Sequence, residues 1–261
     1  RPDRRVWVKR DDLTSEIYGG NKVRTLEVLL GDARSHGATH VYSTGAYGSN
    51  HALATVLHAR RVGLEAGALL FPQPESRTAL ENLQVVLSGH ALLRLIPHWS
   101  TLPLAMWATS RLHAKRREQA YVMVPGGATP LGALGYVSAG LELGRQVESG
   151  LIEAPDAIVI GVGSTCTTAG LLVGLHHAAR LGIGFTEPPK IIAARVTPWP
   201  VTSRWRIIRL AVRVSRLLAR LAGASELAIS ARSMKRLLSI ERHCIGSGYG
   251  KPTLDGIEAI R

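Results

Sequence analysis

Ala157-Ile158-Val159-Ile160-Gly161-Val162-Gly163-Ser164-Thr165-Cys166-Thr167-Thr168-Ala169-Gly170 is the stretch that decides the fold. Residues 157–161 read as a buried strand, which runs straight into a turn of small and hydroxyl residues. A helical pattern follows through Arg180. Strand, small-residue turn and helix in succession is the repeating unit of a mainly parallel α/β sheet. Outward from this stretch the unit recurs. A strand over 40–44 ends at Gly45 and leads to a helix over 52–61. A strand over 64–71, closed by Pro72-Gln73-Pro74, leads to a helix over 77–88. An extended segment over 91–96, a helix over 104–119, a short strand over 121–124, a turn at Pro125-Gly126-Gly127, a helix over 134–149 and a strand over 191–196 complete the pattern.

With 261 residues, 46% of them hydrophobic, the chain can bury a large core in one or two domains. No run of about eighteen uncharged apolar residues is present, so no transmembrane segment is expected. No apolar signal run follows Arg1-Pro2-Asp3-Arg4-Arg5, and Cys166 and Cys244 offer no disulfide framework. A cytoplasmic protein is the expectation. The net charge of +13 favours anionic ligands and does not bear on fold. Much of it lies between Glu187 and Glu226, where Arg204, Arg206, Arg209, Arg213, Arg216 and Arg220 crowd together. The last five share one helical stripe, and Ile207, Leu210, Ala211, Val214, Leu217, Leu218 and Leu221 occupy the other face. This reads as a surface helix with solvated arginines, with a membrane-surface or partner helix as the alternative. A nucleic-acid role would want interleaved aromatics or a binding motif, and neither is evident.

Three turns carry unusual polarity, and in open α/β sheets such turns gather at the carboxyl ends of strands. The first, Gly19-Gly20-Asn21-Lys22-Val23-Arg24, follows the β-rich stretch Val6-Trp7-Val8-Lys9 and places one amine at a glycine turn. Held out of water, that amine has the lowered pKa a Schiff-base lysine needs. Gly45-Ala46-Tyr47-Gly48-Ser49-Asn50-His51 is the second. Ser49 and Asn50 either cap the following helix or present a hydroxyl to a substrate and an amide to a phenolate-type oxygen. In the third, from Gly163 to Gly170, the hydroxyls of Ser164, Thr165, Thr167 and Thr168 exceed what a tight turn requires. Backbone N–H groups at a helix start attract an anion, and without Gly-x-x-x-x-Gly-Lys or Gly-x-Gly-x-x-Gly a single phosphate monoester is the economical ligand. An amine, an amide and a phosphate cup are together what pyridoxal phosphate needs.

At this point the chain resembles the fold-type-II pyridoxal-phosphate enzymes, and among them the 1-aminocyclopropane-1-carboxylate deaminase and D-cysteine desulfhydrase group. The matching residues are Lys9-Arg10-Asp11-Asp12, Gly19-Gly20-Asn21-Lys22-Val23-Arg24, Gly48-Ser49-Asn50-His51, Pro130-Leu131-Gly132-Ala133-Leu134-Gly135-Tyr136, Gly163 to Gly170, and Gly248-Tyr249-Gly250-Lys251-Pro252-Thr253. They occur in the family's order across nearly the whole chain. The resemblance implies that Lys22 carries the cofactor, that Asn50 lies beside its ring oxygen, and that Gly163, Ser164, Thr165, Cys166 and Thr167 form the phosphate loop. Ser49 matches the serine that acts as a nucleophile or on the substrate side. Tyr249 matches a tyrosine at the mouth of the substrate pocket, where a simply packed aromatic is the alternative. No metal site is expected.

The implied architecture is α/β, two-lobed and similar to the tryptophan-synthase β-subunit, with mainly parallel sheets and an incomplete C-terminal part. Residues 1–26 and 135–261 would form the larger lobe and 27–134 the smaller. The chain stops at Arg261, before the family's Asp-Pro-Val-Tyr-type motif, begins without methionine, and has Thr25 where the deaminases have a phosphate-holding lysine. Either it is a partial sequence or elements have been lost. The implied activity is that of a lyase or deaminase on a small amino acid in a homodimer. It would convert D-cysteine to pyruvate, sulfide and ammonia, or 1-aminocyclopropane-1-carboxylate to 2-oxobutanoate and ammonia. The alternative is a catalytically impaired remnant that binds a ligand or partner.

Overall fold

The computed structural model describes residues 5–89, 91–199, 201–247, 251 and 253–260. In chain order the elements are α1 (Asn21–Ser35), β1 (His40–Ala46), α2 (Asn50–Ala59), β2 (Glu65–Phe71), α3 (Arg77–Ser88), β3 (Leu92–Leu95), α4 (Leu102–Lys115) and β4 (Ala120–Val122). They continue as α5 (Leu134–Glu148), β5 (Ala157–Val162), α6 (Cys166–Arg180), β6 (Lys190–Arg195), α7 (Arg204–Leu221), α8 (Ala231–Leu237), β7 (Leu238–Glu241) and α9 (Leu254–Ile260). One four-stranded sheet has the order β3-β2-β1-β4, and one three-stranded sheet the order β5-β6-β7. Every pairing is parallel, as the alternation of strands with helices requires.

The first sheet is covered on both faces. Leu26, Leu29, Leu30 and Ala33 recur at helical spacing on α1 and pack with Val41, Leu53, Val56 and Leu70. On the other face Tyr42, Leu69 and Ile96 meet Leu102 and Ala105 of α4. Around the second sheet one core joins Tyr136 and Val137 of α5, Leu172 and Leu175 of α6, Ile191 and Ala193 of β6, and Ile207 and Val214 of α7. Where α5 crosses α6, a Cβ on Gly140 would lie 2.8 Å from the Gly174 carbonyl carbon, so only glycine allows the two backbones to approach this closely.

α8 and β7 add to the sequence reading, the helix read over 104–119 ends at Lys115, and two expected strands differ in their surroundings. The Val6-Trp7-Val8-Lys9 stretch joins no sheet, and Val6, Trp7 and Val8 are exposed, because no strand among the described residues lies beside it. β5 is not buried, since it is an edge strand with one covered face: Ile158 and Ile160 pack on the core while Val159 is 71% exposed. The arginine-rich α7 buries Ile207, Leu210, Ala211 and Val214 and exposes its arginines, although Leu221, in its last turn, is also exposed. Among the described residues no helix is long and apolar enough to cross a membrane.

A polar network ties the segment before α1 to α5. The Arg24 guanidinium donates to Glu142 at 2.8 and 3.2 Å and to Asp11 at 3.1 Å, and the Tyr136 hydroxyl donates to Asp11 at 2.6 Å. Lys9 also pairs with Glu142. The Arg24 hydrogen bond is the first cause holding the Glu142 carboxyl at about 2, against an ordinary 4.5. A carboxyl depressed in the folded state adds stability above its ordinary pKa and loses it as pH falls through the folded value. The melting temperature should therefore fall between about pH 5 and pH 2, and Glu142→Gln should flatten that slope while lowering stability at neutral pH. Thermal unfolding of both forms across that range checks this.

Candidate active site

Gly20 caps α1 with φ 121°, a conformation that favours glycine, and its N–H donates to the Asp11 carbonyl at 2.6 Å. Lys22 follows in the first turn of α1. Burial is the first cause pulling its amine below its ordinary pKa, partly offset by neighbouring Cys166. The turn is tied directly to the start of α6, because Asn21 Nδ2 donates to Thr167 Oγ1 at 3.2 Å. Below that bond, Thr25 Oγ1 lies 3.9 Å from Cys166 Sγ.

The segment from Gly163 to Thr168 turns sharply into α6. Thr165 is the N-cap, in the left-handed conformation at φ 67° although it is not a glycine. Such strain persists only where the surroundings enforce it. Two residues earlier, the Gly163 carbonyl is held by Thr202, whose hydroxyl donates to it at 2.5 Å, and by Thr197, whose hydroxyl reaches the same oxygen at 3.4 Å. In a trans peptide the C=O and the following N–H point oppositely, so fixing the Gly163 carbonyl also fixes the Ser164 N–H. Among the described residues the N–H groups of 163–168 make no hydrogen bond, and the buried Thr168 hydroxyl has no partner. Unpaired donors at a helix N-terminus form an anion site. The Cys166 thiol is buried and donates to the Gly127 carbonyl at 3.4 Å, so its backbone N–H is the group left to offer a ligand.

The turn after β1 supplies the third group. Ser49 caps α2, its hydroxyl accepting from the Ala52 N–H at 3.3 Å. Asn50 Oδ1 accepts from the Tyr18 hydroxyl at 3.0 Å and from Asn82 Nδ2 at 2.7 Å. Two donors on that oxygen leave the exposed Asn50 Nδ2 as a donor toward an oxygen ligand. His51 is fully buried, and among the described residues neither ring nitrogen has a partner. Burial first, and the Lys22 charge second, push its imidazole down to about 3, so it stays neutral.

The structure therefore gathers Lys22, His51, Cys166 and Thr167, with Ser49 and Asn50 at the adjoining helix start. Tyr249 lies outside the described residues. Sequence reasoning missed His51, Thr197 and Thr202 as site residues. The adjacency of His51 to Asn50 was a usable signal, whereas the two threonines are brought in only by folding.

The sequence family described as "Pyridoxal-phosphate dependent enzyme" matches residues 1–261, and the chain belongs to it. The D-cysteine desulfhydrase of Salmonella paratyphi A is 32% identical over 269 residues, covering 100% of this chain and 74% of that protein. Nocardicin C-9' epimerase of Nocardia uniformis subsp. tsuyamanensis is 38% identical over 176 residues, covering 66% of this chain and 53% of the epimerase. A solved structure described as an ACC deaminase homologue superposes with a TM-score of 0.68 at 34% identity, over 83% of this chain and 62% of that one. The chain thus spans about half the length of the epimerase and three quarters of the desulfhydrase.

The residues present fit the family's cofactor. A desolvated amine suits its aldehyde, unpaired N–H groups suit its phosphate, and a free amide donor suits its ring oxygen. Thr202→Val removes the hydroxyl that fixes Gly163 while keeping the side-chain volume. It should weaken pyridoxal-phosphate affinity about tenfold, the equivalent of about 1.4 kcal/mol. Absorbance titration measures this, with thermal unfolding confirming a folded variant.

Proposed function

We propose that this chain carries a pyridoxal-phosphate-dependent lyase or deaminase activity toward a small amino acid. The observation that supports it most is the desolvated Lys22 amine beside the unpaired N–H groups at the start of α6, tied together by the Asn21–Thr167 hydrogen bond. Lys22 is the residue that binds the cofactor covalently. Gly163, Ser164, Thr165, Cys166 and Thr167 hold its phosphate, and Asn50 Nδ2 donates to its ring oxygen. When bound, the cofactor supplies an electron sink for charge developing at the substrate Cα.

Displaced by the substrate amine, Lys22 Nζ takes and returns a proton at Cα, a task for which an amine of lowered pKa is suited. Neutral His51 beside it adds no competing positive charge. With D-cysteine, loss of the Cα proton and departure of sulfide, followed by hydrolysis with one water, give pyruvate and ammonia. With 1-aminocyclopropane-1-carboxylate there is no Cα proton, and Ser49 or Tyr249 supplies the additional nucleophile or base for ring opening. We place residues 1–26 and 135–261 in a larger lobe and 27–134 in a smaller one, a division that falls inside α1. The proposed assembly is a homodimer, and the exposed, unpaired Cys244 supports a reducing cytoplasm. A non-catalytic binding protein on the same fold is the alternative, which the intact Lys22 disfavours.

Borohydride treatment of the cofactor-loaded chain should abolish its visible absorbance and leave a covalent label on Lys22. Lys22→Ala should lose both the label and at least about 1000-fold in turnover, as expected for loss of a covalent catalyst. A label elsewhere, or none in folded protein, refutes the assignment. Release of pyruvate from D-cysteine, or of 2-oxobutanoate from 1-aminocyclopropane-1-carboxylate, decides between the two substrates. Inversion of an amino acid without either product would instead align the chain with its epimerase relative.

A further inference from the structure

At the amino end of β1, away from the site just described, two imidazoles and one carboxylate converge. His40, His113 and Glu118 each bring one donor atom to within 4.8 Å of the others. The His40 and His113 ring centroids are 4.4 Å apart, and His113 Nδ1 lies 2.7 Å from Glu118 Oε2. We propose that these three side chains bind a divalent cation of the zinc class.

The donor set is the first argument. Two imidazole nitrogens and a carboxylate oxygen are borderline donors of the kind zinc takes, with a fourth position left for water. Around tetrahedral zinc, donors stand ~3.3 Å apart, given bonds of ~2.0–2.1 Å. The His113–Glu118 pair is already closer than that. His40 is half-buried on the first residue of its strand, so a modest side-chain rotation brings it in.

The backbone is the second argument. Arg117, the residue before Glu118, has φ 58° and is not a glycine. The Glu118 N–H donates to the His113 carbonyl at 3.0 Å, so this strained turn folds the carboxylate back onto the imidazole at the end of α4.

The surroundings are the third. The Tyr42 hydroxyl lies 2.9 Å from His113 Nε2. Without metal, Nδ1 donates to the Glu118 carboxylate and the Tyr42 hydroxyl donates to Nε2; once a cation replaces the Nδ1 proton, the hydroxyl turns to accept from Nε2–H, the outer hydrogen bond that orients a ligating histidine. Thr39 Oγ1 holds His40 Nδ1 at 2.8 Å, which leaves Nε2 for the cation. Arg116 is the opposing charge beside His40, and Glu65 partly offsets it. A bound cation would pin the start of β1 to the end of α4 and the approach to β4. β1 separates this cluster from the Gly45–Asn50 turn by ~20 Å, so the role is a structural staple rather than a part of catalysis.

The test is equilibrium dialysis of the chelator-stripped chain against Zn2+, together with thermal unfolding. One zinc per chain should bind, and the melting temperature should rise with Zn2+ concentration. His40→Ala and Glu118→Gln should each weaken affinity at least about tenfold, and Tyr42→Phe about tenfold through lost orientation. Cobalt(II) should give the d–d bands of a four-coordinate centre in the parent chain and lose them in His40→Ala. Metal-free His40→Ala should melt as the metal-free parent does, which separates ligand loss from misfolding. Absence of stoichiometric zinc overturns the proposal. So does unchanged affinity in both ligand variants, an outcome that would move the metal to another site such as the exposed His243–Cys244 pair.

Discussion

Arg24 connects the two halves of the molecule through one helix. From α1, Leu26, Leu29 and Leu30 pack with the first sheet, while Arg24, half a turn earlier, pairs with Glu142 of α5 and with Asp11. The Arg24 side chain is only 15% exposed, and its pairing is bidentate and shared with two carboxylates. A pair of this kind differs from an exposed ion pair, because removing one partner strands the other with its charge uncompensated. Lys22 lies two residues before Arg24. The position of the amine is therefore set by an apolar anchor on one side and a hydrogen-bonded guanidinium on the other. A single turn of helix then carries an amine into the seam between two cores without help from long loops.

The electrostatics of that seam are one-sided. The α6 start presents unpaired N–H groups, the α2 start adds the Asn50 amide, and the described residues place no carboxylate against Lys22. Without a carboxylate only the neighbouring Cys166 favours its charged form, so burial dominates and its pKa falls. His51 responds to the same field by remaining neutral. Both effects suit an anionic ligand that brings its own negative charge. A phosphate at the helix start supplies it and meets the orphan donors at the same time.

The parallel α/β arrangement and the polar turns were legible because the relevant signals are local. Apolar runs give strands, and the small hydroxyl residues of 163–168 mark a turn whose backbone must stay accessible. Lys22 was legible for the same reason, since its glycine turn and its helix are contiguous with it. Burial against distant elements was not. An apolar run does not say whether a neighbour covers its second face, so Val159 read as buried and proved exposed at a sheet edge. Val6 to Lys9 has strand composition without an adjacent strand, among the described residues, to pair with. Thr202 lies about forty residues beyond the carbonyl it fixes, and only the closure of β5 on β6 brings it there. His51 became informative through what it lacks among the described residues, a partner for either nitrogen, which no sequence pattern records.

The two ends of the first sheet have opposite electrostatic character, and the connectivity explains why. When strands are parallel and joined by helices, each helix begins near the carboxyl end of its strand and finishes near the amino end of the next. The positive end of α2 thus lies at Asn50, and that of α6, at the carboxyl end of β5 in the second sheet, lies at Gly163 to Thr168; helix starts of this kind favour an anion. The negative end of α4, with His113 in its last turn, comes to the amino side of β1, beside His40. That end favours a cation by the same dipole argument. The Glu118 carboxylate strengthens the preference, and the strained Arg117 turn keeps it in place. The length of β1 thereby separates the α2 start, beside the proposed anion site, from the proposed cation site, and neither needs to compete with the other for charge.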